Sequence, residues 1–337
     1  MSPPGRPKGE YRSAQREGTP VSADSRSAGP RTPIRVGIVG VGAMGGAIAE
    51  HLLERGFDVV VRDIVPARVE ALVARGARRA DSASDVARCA AIVLTVVVDS
   101  AETDAVVFGD DGDGGLVAGT TADSIIVMCS TVAPAYVTEL GERLAARGVA
   151  LIDAPISGGP RRARDGTLSM MAAGPEGVIE RALPVLGATA SRLFRVGTRA
   201  GDGSAMKIVN NMLAGINLAA TAEALALAAK LGMDLALVRD VVEASSGGSW
   251  MFGDRVPRAL AGDYAPRAAT KILTKDVALA RAVAANAGVP ASLAAAACAL
   301  YEAAVRAGCG ELDDAALIEF VRTHRAPASE TQREETR

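Results

Sequence analysis

The sequence predicts an α/β fold, a doubly wound sheet followed by an all-α region joined to it by a long helix. Three observations carry this. Short apolar runs bounded by turn residues alternate with helix-period stretches from Ile34 to about residue 197. Beyond Gly203 no strand-like run follows, and Met206, Val209, Leu213, Ile216, Ala220, Leu227 and Leu231 recur at helical spacing. Glycines at 197, 201 and 203 mark the join between the two patterns. Buried strands interleaved with helices imply a parallel sheet covered on both faces.

Taken in order, residues 1–32 are rich in Pro, Gly, Ser and Arg and read as a disordered arm. Residues 33–199 form the first domain. Its strand-length runs are Ile34–Val39, Asp58–Val61, Ala91–Val98, Ile125–Cys129, Val149–Ile152 and Leu168–Ala173. Helical patterns fall between them, as at Met44–Arg55, Pro66–Arg75 and Pro134–Arg147. Residues 200–325 form the helical domain, and 326–337 read as a disordered tail. The long helix starting near Ser204 is apolar enough to support subunit packing, so a homodimer or homotetramer is expected.

Composition narrows the function. The 337 residues are 49% hydrophobic, ample for a core, but only 3% aromatic, so aliphatic side chains and alanine fill it. A net charge of −2 gives no reason to expect a nucleic-acid or membrane-surface partner. No apolar stretch reads as long and charge-free enough to span a membrane, and no signal-peptide core opens the chain. Cys89, Cys129, Cys298 and Cys309 form no C-x-x-C pair. Cys89 and Cys129 sit beside apolar runs and read as buried free thiols, which points to the cytoplasm. With only His51 and His324 present, neither in a site-like context, no metal centre is expected.

Among 37 basic residues only Lys8, Lys207, Lys230, Lys271 and Lys275 are lysines. Lys207 stands alone in the neutral run Ala205–Leu213. Arginine keeps its proton in a protein, whereas lysine releases it when burial lowers its pKa. Lys207 is therefore a candidate acid/base. Asn211, four residues on, shares its helix face and is placed to orient a substrate. The helix begins where the domains join, the usual place for a cleft.

Gly40-Val41-Gly42-Ala43-Met44-Gly45 follows the first strand directly and opens a helix, the Rossmann-type spacing of a dinucleotide turn. Asp63, at the end of the next strand, would bind the ribose hydroxyls of NAD and repel a 2′-phosphate. Arg62 beside it leaves room for NADP. Other segments admit two readings from the residues alone. Thr131, after Ile125–Cys129, either reaches a cofactor or merely exits a strand. Ser157-Gly158-Gly159 is either a plain turn or a cradle of N–H groups for a substrate carboxylate. Gly166-Thr167-Leu168 could close over that site, while Arg161, Arg162 and Arg164 read as solvated. Lys275-Asp276 is a second cleft pair or a surface pair, and Trp250 and Phe252 line a pocket or pack helices.

These segments together resemble the β-hydroxyacid dehydrogenases over about residues 34–322. The resemblance rests on Gly40–Gly45, Asp153-Ala154-Pro155-Ile156-Ser157-Gly158-Gly159, Gly201–Lys207 with Asn211, and Lys275-Asp276. It implies an NAD-dependent oxidoreductase acting reversibly on a small hydroxy acid. It further implies Lys207 as the catalytic acid/base, Ser157, Gly158 and Gly159 as the carboxylate site, Asn211 as a substrate contact, and Thr131 and Lys275 as cofactor contacts. Ser249–Pro257 with Ala261–Arg267, and Val107–Gly112, resemble the L-threonate dehydrogenase branch. Asn210-Asn211 follows the wider family instead.

Overall fold

The computed structural model describes residues 34–110 and 114–324. The expected N-terminal arm and C-terminal tail lie outside the described residues, as does part of the Val107–Gly112 segment. Strands β1 (Arg35–Val39), β2 (Asp58–Arg62), β3 (Arg78–Arg79), β4 (Ile92–Thr95), β5 (Ile125–Met128) and β6 (Ala150–Asp153) pair in parallel in the order β3-β2-β1-β4-β5-β6. Helices α1 (Ala43–Glu54), α2 (Pro66–Val73), α3 (Ala83–Cys89), α4 (Ser100–Phe108) and α5 (Pro134–Ala145) connect them. Separate apolar cores lie on the two faces. Ile38, Ile48, Leu52 and Val61 belong to one, and Val60, Val86, Leu140 and Leu144 to the other.

The expectation of a purely parallel sheet needs correction beyond β6. β7 (Ile156–Ser157) and the helix α6 (Gly159–Arg164) lead into β8 (Ser169–Ala173), which pairs antiparallel with both β6 and β7. After α7 (Glu176–Thr189), β9 (Arg192–Gly197) pairs parallel with β8. The short link from β7 to β8 allows this, because only a longer crossover returns a strand in parallel. The expected strand Ala91–Val98 is also shorter than read, ending at Thr95 where the chain leaves the ladder. Cys89 is exposed, not buried, whereas Cys129 is buried as expected.

After β9 the chain is helical. α8 (Asp202–Lys230) is central, and α9 (Leu235–Glu243), α10 (Trp250–Leu260), α11 (Thr270–Asn286), α12 (Ser292–Ala304) and α13 (Ala316–Thr323) surround part of it. Their shared core includes Leu218, Leu225, Phe252, Val277, Tyr301 and Leu317. The helical spacing read from the sequence is right, and the structure shows which face is buried. The buried face of α8 carries Gly203, Ser204, Lys207, Ile208, Asn211, Gly215, Leu218 and Ala222, whereas Met206, Val209, Leu213, Leu227 and Leu231 are exposed. By length and composition this 29-residue helix could cross a membrane, contrary to expectation. Here it is the spine of the helical domain, and residues smaller than leucine supply much of its inner face.

Candidate active site

The site is assembled along the carboxyl edge of the sheet and the first turns of α8. At β1 the turn is forced by backbone. Gly40 has φ +88°, and a Cβ there would lie 2.5 Å from the Val96 carbonyl oxygen. A Cβ on Gly45 would come within 1.9 Å of the Gly40 carbonyl, so α1 can approach β1 only with glycine there. Gly42 faces open space, with only the Arg68 guanidinium 3.9 Å away. The N-terminus of α1 has no side-chain cap and no acidic residue in its first turn. Its unpaired N–H groups and helix dipole suit a pyrophosphate. Val41, Ala43 and Met44 continue this turn into α1.

Asp63 is buried just beyond β2. Its Oδ2 accepts from the Val41 N–H at 2.7 Å and its Oδ1 from the Val65 N–H at 2.8 Å. The carboxylate therefore also ties the glycine turn to the end of β2, a task the sequence did not reveal. Arg68 stands 3.4 Å from it, and the Arg62 guanidinium donates to the Asp63 carbonyl. At the end of β4 and just beyond β5 the buried hydroxyls of Thr95 and Ser130 have no hydrogen-bond partner among the described residues. Such orphaned donors at one sheet edge fit a polar ligand lying across it.

The second cluster crosses from the sheet to the helices. Lys275, on α11, donates from Nζ to the Thr131 carbonyl at 2.8 Å and lies 3.0 Å from Asp276 Oδ1. The buried Asp276 accepts from Asn211 Nδ2 at 2.7 Å, and Asn211 Oδ1 accepts from Asn210 at 3.0 Å. Lys207 is buried one turn before Asn211. Burial lowers its pKa most, nearby Lys275 lowers it further, and Asp276 opposes both, leaving it at about 8. The structure thus brings Asn211, Lys275 and Thr131 into one network, whose charged members Lys275 and Asp276 act on the buried Lys207. It adds Asp276, which sequence reasoning had noticed only as the neighbour of Lys275.

Asp153 was missed altogether as a site residue. It is fully buried at the end of β6 and accepts from the N–H groups of Gly201 (3.0 Å) and Ser204 (2.8 Å) and from the Ser204 hydroxyl (2.8 Å). Burial pushes its carboxyl up despite these bonds. The α8 cap residue, Gly201, has no side chain to satisfy those donors, so a carboxylate from the sheet does it. A Cβ on Gly203 would lie 2.5 Å from the Asp153 carbonyl oxygen, so helix and sheet touch here. Lys207 follows Ser204 by three residues, and its height above the sheet edge is set by this seat.

Ser157, Gly158 and Gly159 end β7 and open α6, with positive φ at both glycines (+136° and +74°). Among the described residues no hydrogen bond joins them to Lys207 or Asn211. In the segment Gly166-Thr167-Leu168, Leu168 Cδ2 lies 3.2 Å from where a Cβ on Gly158 would be. Gly166 lies against the His51 ring, whose Nδ1 pairs with the Arg164 carbonyl at 2.9 Å, and Leu168 is buried in the core. Phe252 packs the helical core, whereas Trp250 stays 53% exposed. Among the described residues no group of His, Cys, Asp and Glu is placed to hold a metal.

A glycine turn opening an uncapped helix, a buried acid at the end of the second strand and a buried lysine of lowered pKa together suit a nicotinamide-dinucleotide oxidoreductase. Comparisons with known proteins agree. Residues 35–197 match the NAD binding domain of 6-phosphogluconate dehydrogenase, and 201–321 the NAD-binding region of NADP-dependent 3-hydroxyisobutyrate dehydrogenase. L-threonate dehydrogenase of Cupriavidus necator is 38% identical over 85% of this chain and 95% of its own length. 3-Hydroxyisobutyrate dehydrogenase of Pseudomonas aeruginosa is 39% identical over 76% and 87%. The crystal structure of 3-hydroxyisobutyrate dehydrogenase from Salmonella typhimurium superposes with a TM-score of 0.78, at 36% identity over 85% of this chain and 99% of that one. The chain belongs to the β-hydroxyacid dehydrogenase family and is an NAD(P)-dependent dehydrogenase.

Proposed function

We propose that this enzyme reversibly oxidises the hydroxyl of a small hydroxy acid, a four-carbon sugar acid such as L-threonate or else 3-hydroxyisobutyrate, with Lys207 exchanging the hydroxyl proton. The observation that carries the reading is Lys207 itself, buried beside Asp276 and Lys275 with its pKa lowered to about 8. Bound NAD supplies a hydride acceptor. The Gly40–Gly45 turn and the α1 N-terminus hold its pyrophosphate, and Asp63 favours NAD over NADP. Thr131 and Lys275 border the nicotinamide end. Ser157, Gly158 and Gly159 hold the substrate carboxylate, with open space beside Gly159. Asn211, fixed by Asp276, orients the hydroxyl toward Lys207 Nζ, which takes its proton as a base.

Residues 33–199 act as the cofactor domain and 200–325 as the substrate and assembly domain. Four unpaired thiols support a cytoplasmic setting. The second apolar face of α8 supports a homodimer or homotetramer. The deciding experiment follows NADH appearance across L-threonate, 3-hydroxyisobutyrate, glycerate and D-erythronate. Lys207→Arg keeps the charge but cannot release the proton, so turnover is expected to fall about 10²–10⁴-fold with NAD affinity intact. Wild-type turnover in that variant would remove Lys207 from the chemistry.

A further inference from the structure

Three arginines follow Ser157-Gly158-Gly159 on α6, and the structure uses them differently. Arg161 lies in solvent beside Asp165, and Arg164 pairs with Glu50 at 3.0 Å. Arg162 has no carboxylate partner among the described residues. Its side chain is exposed, as read from the sequence, but its stem lies against the turn: a Cβ on Gly158 would meet Arg162 Cδ at 2.8 Å and Cβ at 3.0 Å. The side chain therefore rises directly from the turn assigned to the substrate carboxylate. Its guanidinium then reaches the helical domain, 5.7 Å from the centre of the Trp250 ring. That ring, in the first turn of α10, also lies 5.6 Å from the buried Arg255 guanidinium, which is anchored to Asp314.

An aromatic face supports a cation without supplying an acceptor for its N–H donors. Arg162 is thus positioned but unneutralised, which is how a site for a polar ligand group differs from a structural ion pair. The sheet order places it as well. Along the carboxyl edge, β5 presents Thr131 under Lys275, β6 presents Asp153 under α8, and β7 lies beyond β8 with Ser157. The Arg162–Trp250 contact spans the two domains.

We infer that Arg162, steadied by Trp250, selects the substrate by its hydroxyl groups. It favours polyhydroxy acids over hydroxy acids that end in a hydrocarbon. A hydrocarbon end would cover the guanidinium and leave its donors unpaired, and a site built to hydrogen-bond rejects such an analogue strongly. The inference rests on the hydroxy-acid reading above and gives it a substrate class.

Trp250 is the sole tryptophan, so its emission reports this contact directly. Titrating L-threonate into the NAD-bound protein is expected to change that emission saturably, with 3-hydroxyisobutyrate binding at least about tenfold more weakly. Arg162→Ala is expected to weaken L-threonate binding and its kcat/KM about 10–100-fold. The same change should leave 3-hydroxyisobutyrate unchanged or strengthen its binding, because no polar contact is lost and no donor is left unpaired, and leave NAD affinity unchanged. Arg162→Lys should recover part of the loss. An equal loss on both acids, no loss on either, or no binding of L-threonate overturns the inference. Selective binding by a protein that oxidises neither acid would instead overturn the reaction and leave the inference standing. Oxidation of both acids without dependence on Arg162 would do the reverse.

Discussion

Lys207 must be unprotonated to accept a proton, so its environment fixes a pH dependence. With its pKa lowered to about 8, kcat/KM for oxidation is expected to rise through that pH and then level off. Asp276 stabilises the ammonium and holds the pKa up, while Lys275 pushes it down. Asp276→Asn should therefore move the rise to lower pH, and Lys275→Met should move it to higher pH with weaker cofactor binding. Initial rates from neutral to alkaline pH check this. A wild-type profile without a rise would take the base role from Lys207. The sequence made Lys207 conspicuous because a chain that otherwise uses arginine kept lysine in a neutral run. Asp276 gave no such signal, because its importance comes from Asn211, 65 residues earlier, donating to it.

At the level of elements, the seat of α8 is the decisive join. Asp153 accepts three hydrogen bonds from the start of the helix. Asp153→Ala would strand those buried donors, at a cost of about 2–4 kcal/mol in stability. It would also tilt the helix that carries Lys207. The denaturation midpoint should fall, and kcat should fall in the fraction that remains folded. Asp153→Asn, which keeps one acceptor, should lose less of both. Because Asp153 does not contribute to the Lys207 shift, neither change should move the pH of the rate rise, which separates seating from titration. A midpoint unchanged in Asp153→Ala would remove this account of the helix seat. The long strands and helices were legible from period and punctuation. β3 and β7, two residues each, and β9 were not, and β8 was read as a strand without its antiparallel direction. Their pairing depends on partners distant in sequence, and two-residue strands show no alternation to detect.

For the whole molecule, α8 is apolar on two faces, and the described chain covers only one. Met206, Leu213 and Leu227, each 45–61% exposed, fall seven and then fourteen residues apart along the uncovered side, with the exposed Ala220 between the last two. α9 contributes no buried residue at all, and its Leu237 and Val241 are more than half exposed. The sequence showed this periodicity plainly but could not say which stripe faced the home domain. Small residues such as Gly203 and Gly215 took the inner face because close backbone approach requires them, leaving the larger side chains outside. A helix apolar all round is normally covered all round, and monomers seldom leave a contiguous apolar patch of more than a few hundred Å². A second copy placed on this face would bury the stripe of each subunit against that of the other. Light scattering at micromolar concentration is expected to give twice or four times the chain mass. Leu213→Glu with Leu227→Glu puts charges into that contact and should shift the mass toward the monomer. Neither residue belongs to the core that holds the subunit together, so thermal unfolding of the variant should stay cooperative. A wild-type protein that scatters as a monomer, or a double variant that keeps its assembled mass, would show that this face has some other cover.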